Sequence, residues 1–193
     1  NISSEEKFLK ALMGKEYKSE KGIVTYEGKT LDITSSFAEY INSSPKDRKF
    51  SGINKHNASG KVISYLSKTG VNKKTLYAER VSNSKDKFGV VAGYEFDGKK
   101  IFTKPLLVTA SKSGVEKIYG PFLTFAEIEK RYYNTISSES ALIDYLSFYG
   151  NNYKTAVELT AVNNGYYIPM NQGSVSSYAI PAYEFVFSNN ETV

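Results

Sequence analysis

Tyr65-Leu66-Ser67-Lys68-Thr69-Gly70-Val71-Asn72-Lys73-Lys74-Thr75 returns eighty residues later as Tyr145-Leu146-Ser147-Phe148-Tyr149-Gly150-Asn151-Asn152-Tyr153-Lys154-Thr155. Between residues 61–75 and 141–155, eight of fifteen positions are identical without a gap. In each copy the apolar residues fall at helical spacing. Val62, Ile63 and Leu66 share a face of the first, with Tyr65 at its edge; Ala141, Leu142, Tyr145, Leu146 and Tyr149 form the stripe of the second. Gly70 and Gly150 then stop the helix, and glycine in that place predicts a left-handed residue. The spacing predicts helices over 59–69 and 138–149.

The repetition extends past the helices. A strand and then Gly93-Tyr94-Glu95-Phe96 follow the first copy; a strand and then Ala182-Tyr183-Glu184-Phe185 follow the second. The repeated unit is helix, glycine, strand, loop, strand. Such a unit buries one helix face on one face of an antiparallel sheet. The expected fold class is therefore α+β, with two related units that each pack a helix on an antiparallel sheet. Gly120-Pro121 punctuates the chain and divides it into an N-terminal unit, 1–120, and a C-terminal unit, 121–193.

The remaining elements follow from local pattern. Ser3 and Glu6 have capping-box spacing before Phe8, Leu9 and Leu12, and Gly14 closes that helix. Two short strands lie within 22–33 around Glu27-Gly28. Strands are expected over 76–81, 88–96, 101–110 and 115–119. Asp97-Gly98 makes a hairpin of the middle pair, and Pro105 demands an edge or a bulge. Thr124 and Glu127 open a short helix carrying Phe125, Ile128 and Tyr132. Strands at 155–162, 165–168 and 180–187 surround a polar loop at 171–177.

With 193 residues, 40% of them hydrophobic, the chain can bury a core. It holds no cysteine, so disulfides, thiolate metal sites and a cysteine nucleophile are excluded. No run of apolar residues is long enough to span a membrane. The chain opens on Asn1 rather than Met, which is expected of a protein whose N-terminal segment has been trimmed.

Residues 1–100 carry 19 Lys and Arg against 12 Asp and Glu, whereas 101–193 carry 6 against 8. The basic half suits anionic lipid or wall polymer, or is simply a solvated Lys-rich surface. Lysines outnumber arginines 22 to 3, which argues against nucleic acid, where bidentate arginine is favoured.

Catalytic patterns are missing from the sequence. His56 is the sole histidine, in a loop with no evident nucleophile. The carboxylates Glu127, Glu129, Glu139 and Asp144 read as solvated helix faces rather than a glycosidase pair. No nucleophile elbow, phosphate-cradling glycine loop, metal-ligand set or cofactor motif is present. The expectation is a non-enzymatic protein without a cofactor or metal. What stands out is aromatic surface in the second half: Tyr132-Tyr133, Phe148-Tyr149, Tyr153 and Tyr166-Tyr167. Tyrosine is enriched at protein interfaces. Neighbours in a strand or helix point in different directions, so one member of each pair faces outward. Tyr132, Tyr133, Tyr166 and Tyr167 are the candidate partner-binding residues.

The order of these motifs resembles the extracytoplasmic part of the YycI/YycH family, accessory regulators of an essential cell-wall-sensing histidine kinase system in low-GC Gram-positive bacteria. The resemblance rests on the strand pair at 88–96 and 100–108, Val115-Glu116-Lys117-Ile118-Tyr119-Gly120-Pro121, and Ala141-Leu142-Ile143-Asp144-Tyr145-Leu146. Gly165-Tyr166-Tyr167-Ile168 and the closing Ile180-Pro181-Ala182-Tyr183-Glu184-Phe185 complete it. It covers roughly residues 60–187, and Tyr183 stands where that family has Trp.

The resemblance implies a protein on the outer face of the cell membrane, held by an N-terminal anchor preceding Asn1. It also implies binding to the sensor histidine kinase and to a paralogous accessory protein, in a homo- or heterodimer. Two alternatives stay open: a secreted or wall-anchored polymer- or carbohydrate-binding module, and a hydrolase whose site is not visible in sequence.

Overall fold

A computed structural model describes residues 4–14, 16–34, 37–123, 135–150, 156–171, 174–175, 178–189 and 193. The chain opens with helix α1 (Ser4–Met13) and the short strands β1 (Lys18–Glu20), β2 (Ile23–Tyr26), β3 (Lys29–Asp32) and β4 (Ala38–Asn42). A 3-10 turn at Arg48–Phe50 leads into helix α2 (Ala58–Leu66). Four long strands follow: β5 (Leu76–Ser84), β6 (Lys87–Phe96), β7 (Lys99–Ser111) and β8 (Gly114–Gly120). Helix α3 (Ser138–Tyr149), β9 (Leu159–Tyr167), β10 (Met170–Asn171), β11 (Ser174–Val175) and β12 (Ile180–Phe187) complete it.

Eight strands run in the order β1-β2-β3-β4-β8-β7-β6-β5, every neighbour antiparallel. The turns Lys21-Gly22, Glu27-Gly28 and Asp97-Gly98 have positive φ at both central residues. These are the mirror-image hairpin turns whose twist matches that of the strands they join. The molecule has the expected mixture of helices and antiparallel strands, but the long strands of both halves join one large sheet rather than two separate ones.

One row across the sheet shows why it holds together. Val24, Leu31, Tyr40, Ile118, Val108, Val90 and Val81 are successive cross-strand partners. All but Val81 are buried, and Val81 packs against them. Alternation along each strand puts this row on one face, where α2 adds Ala58, Val62 and Leu66 and α1 adds Leu12 and Met13. The helix stripe expected for the first copy is therefore core.

β4 was not foreseen from the sequence. Through Ala38 to Ile41 it pairs with β8 and welds the N-terminal meander to the long strands. Tyr40 also meets the phenol of Tyr65 in α2 through a hydrogen bond.

The long strand β7 has an edge shared by two neighbours. Leu107–Ser111 pairs with β8 and residues 100–102 pair with β9, in parallel. β12 then lies antiparallel on β9. Between the two halves of β7 the register against β6 breaks: Tyr94 faces Ile101 but Ala92 faces Leu106. Four residues of β7, ending in Pro105, thus stand against Gly93 alone. Proline cannot donate to a ladder, and the bulge expected there is present.

The helix ends do not match as expected. Gly70 is left-handed, at φ 96, after a 3-10 turn at Ser67–Thr69. Gly150 is not: at φ −56 it continues right-handed, and its N–H bonds to the carbonyl of Leu146. The chain tightens and turns left-handed at Gly70 but not at Gly150. The two strands expected at 155–162 and 165–168 are one, β9. The capping Ser3 and the short helix expected from Thr124 lie outside the described residues.

Two measurements check this packing. Gly70→Val should cost about 1–2 kcal/mol, because a β-branched residue is strained at positive φ, while Gly150→Val should be close to neutral in the same urea titration. The phenols of Tyr40, Tyr65 and Tyr94 are all pushed up, in each case first by burial. They stay protonated in the folded chain after the unfolded chain has ionised. Their contribution is complete below pH ~10 and is lost above it, at about 1.4 kcal/mol per pH unit for each phenol. Unfolding free energy should fall as pH rises above about 10, and Tyr94→Phe should make that fall shallower.

Candidate functional site

The sequence singled out Tyr166 and Tyr167, and both sit on β9 where it joins β7. Tyr166 stands opposite Ile101, and Tyr167 opposite Phe102. The ring of Tyr166 packs on the core and lies 5.6 Å beneath the Lys99 ammonium. Tyr167 points the other way and is 43% exposed. It lines an open cleft of about 570 Å³ with Phe102, Lys104, Pro105 and Tyr183. Alternation along the strand separates the pair, as the sequence implied. Tyr132 and Tyr133 lie outside the described residues.

Gly165 explains why this junction has a glycine. A Cβ there would collide with the carbonyl oxygen of Lys100 and stand 2.8 Å from the Phe102 ring. Only a bare α-carbon lets β9 close on β7.

The larger feature was not among the candidate residues. α3 begins with Ser137 as its cap, the hydroxyl accepting the N–H of Ser140 at 3.2 Å. It leans on β12 through Tyr145, whose ring centroid lies 6.4 Å from that of Phe187. Yet no residue of α3 is buried. Ile143 is 64% exposed and Phe148 83%, and Leu146 and Tyr149 are exposed too.

The contrast with α2 is direct. Leu66 is fully buried, but Leu146, its counterpart in the repeat, is open; Ile63 packs against the core, but Ile143 faces solvent. The sequence carried one hint. Ile143 and Phe148 fall outside the expected stripe, so α3 is apolar on more than one side, whereas a helix served by a single core needs only one.

His56 lies at the start of α2, beside an open groove with Asp47, Lys49, Lys61 and Lys68. Among the described residues no group of three acidic or histidine side chains is placed to hold a metal ion. Likewise, no helix is long and apolar enough to cross a membrane.

No protein-family model matches the chain, and neither does any curated protein. Solved structures do. An uncharacterized protein from Eubacterium rectale is 12% identical, with a TM-score of 0.50 over 98% of this chain and 80% of that one. The Bacillus megaterium YpeB C-terminal domain is also 12% identical, with a TM-score of 0.43 over 98% of this chain and 88% of that one. At such identity the first likeness speaks to the fold alone.

Substitutions separate the roles at the junction. Gly165→Ala should destabilise by about 1–3 kcal/mol through overpacking. Tyr166→Ala should lower the melting temperature clearly, and Tyr167→Ala should barely move it. Calorimetry of the three variants decides.

Proposed function

We propose that this chain is a non-enzymatic regulatory protein that acts by binding other proteins, with the outer side of α3 as its docking surface. The observation that carries the reading is the exposure of Ile143 and Phe148 on a helix with no buried residue. Exposed apolar surface of this kind marks interaction sites in soluble proteins. The acidic groups of α3, Glu139 and Asp144, are unmatched by any lysine or arginine within it, so an apolar partner surface with a basic rim fits it. Tyr167 and its cleft extend the same second-half surface.

The motif resemblance supplies the class of partner. In the reading it supports, the chain is a YycI/YycH-type accessory protein on the outer face of the membrane, anchored by a preceding segment. It docks on the sensor histidine kinase and on a paralogous accessory protein. Such a regulator shifts the kinase only as far as its affinities for the two kinase states differ. The duplication belongs to the same proposal. Within 121–193, α3, β9 and β12 form a second version of the α2–β5–β6 unit of 1–120. Eight shared residues and the sequence of helix, strand and returning strand, with β10 and β11 inserted before β12, support this.

The test is binding of this chain to the extracytoplasmic domain of the kinase and to the paralogous protein. Truncating an interface hot spot costs about 2 kcal/mol or more, close to 25-fold in affinity at 1.4 kcal/mol per tenfold. Phe148→Ala and Ile143→Ala should lose that much with melting temperatures unchanged. Wild-type chain that binds neither partner, or variants that lose binding only when destabilised, would overturn the reading.

A further inference from the structure

Residues 43–78 carry eight lysines and arginines and a single acid, Asp47. The fold gathers part of this charge at one place. Between the 3-10 turn at Arg48–Phe50 and α2 runs an open groove of about 500 Å³, lined by Lys49, Lys61, Lys68, His56 and Asp47. The ion pairs among the described residues are Lys87–Glu116, Lys112–Asp86 and Lys117–Glu39. None of them involves the eight basic residues of this segment. The Lys61 ammonium bonds to the carbonyl of Lys49, and that of Lys68 lies 5.7 Å over the Tyr65 ring. Both contacts hold the lysines in place and leave their charge uncancelled. Asp47 offsets one of the three, and its carboxylate is already bonded to the N–H of Lys49 at 3.0 Å.

We propose that this groove binds the phosphate groups of a phosphodiester-bearing surface or polymer that carries no nucleobases. Three lysines line one groove, and at physiological salt charges are screened from one another only over about 8 Å. At about 30 Å³ per liquid water, the groove admits more than one phosphate, so a chain or array of phosphates suits it better than a single ion. Lysine is a compact point charge that tolerates many phosphate orientations, whereas arginine imposes a planar fork. The groove contains no arginine. Its aromatics give no platform for nucleobases: Phe50 is buried and the Tyr65 phenol is engaged with Tyr40. Stacking on exposed rings is what single-stranded nucleic acid binding requires. The groove lies on α2, apart from α3, so this inference stands independently of the protein-docking surface.

The experiment compares wild type, the groove variant Lys49→Gln/Lys61→Gln/Lys68→Gln, and the control Lys18→Gln/Lys21→Gln/Lys85→Gln. Each is titrated with poly(glycerol phosphate), with vesicles containing phosphatidylglycerol, and with a thymidine oligonucleotide. Wild type should bind the polymer, the vesicles or both, with a log–log salt slope of about −2, as displacement of counterions from about three phosphates gives. The groove variant should bind at least tenfold more weakly and the control should match wild type. Binding to only one of the two phosphate probes names the source. The proposal is overturned if wild type binds neither, if its salt slope is near zero, or if groove and control variants weaken alike. Tighter binding of the oligonucleotide, lost in the groove variant, would overturn it in favour of nucleic acid.

Discussion

The two long strands of the second half, β9 and β12, depend on one edge of β7. A strand has two edges, and β6 occupies one along its length. On the other edge, the part beyond Pro105 is taken by β8 and residues 100–102 are left for β9. Pro105 marks the division, because it has no N–H to give either neighbour. Gly165 makes the second partnership possible by removing the side chain that would meet the Lys100 carbonyl. Three parallel residue pairs thus fix β9, and through β9 they fix β12 and the helix that leans on it.

The strands were largely legible because their signals are local. Alternation and turn residues located β2, β3, β5 to β8 and β12 within a few residues of where they lie. Pro105 announced the break in β7. β4 was missed because five residues, Ala38–Asn42, between polar stretches give too little alternation to read. Its weight comes from a partner eighty residues away in sequence, β8, which no local pattern encodes. Gly150 misled for a similar reason. A glycine after a helical stripe permits a left-handed turn, but only the path of the following chain requires one.

The repeated phrase shows the limit most clearly. Ile63 and Leu66 reappear as Ile143 and Leu146, and the helical stripe assigns Leu146, like Leu66, to a core. Only the first pair has the broad sheet face of β5 and β6 beneath it. The second lies beside a two-strand arm joined at a narrow seam, which offers too little surface to cover a helix apolar on more than one side. Burial is set by what the neighbouring elements can supply. The same phrase therefore serves stability in α2 and, in our proposal, recognition in α3. Phe148, the most exposed large apolar residue among those described, had no periodic signature of its own.

Native-state hydrogen exchange, resolved by residue, tests most directly the claim that α3 is an uncovered helix on a firmly attached arm. Local opening reports how much buried packing holds an element in place. The amides of α2 and of β9 near Gly165 should open only with the bulk of the sheet, and those of α3 should open at a free energy lower by about 2 kcal/mol or more. Equal protection of α2 and α3 in the isolated chain would mean that α3 is covered after all, and would contradict the account.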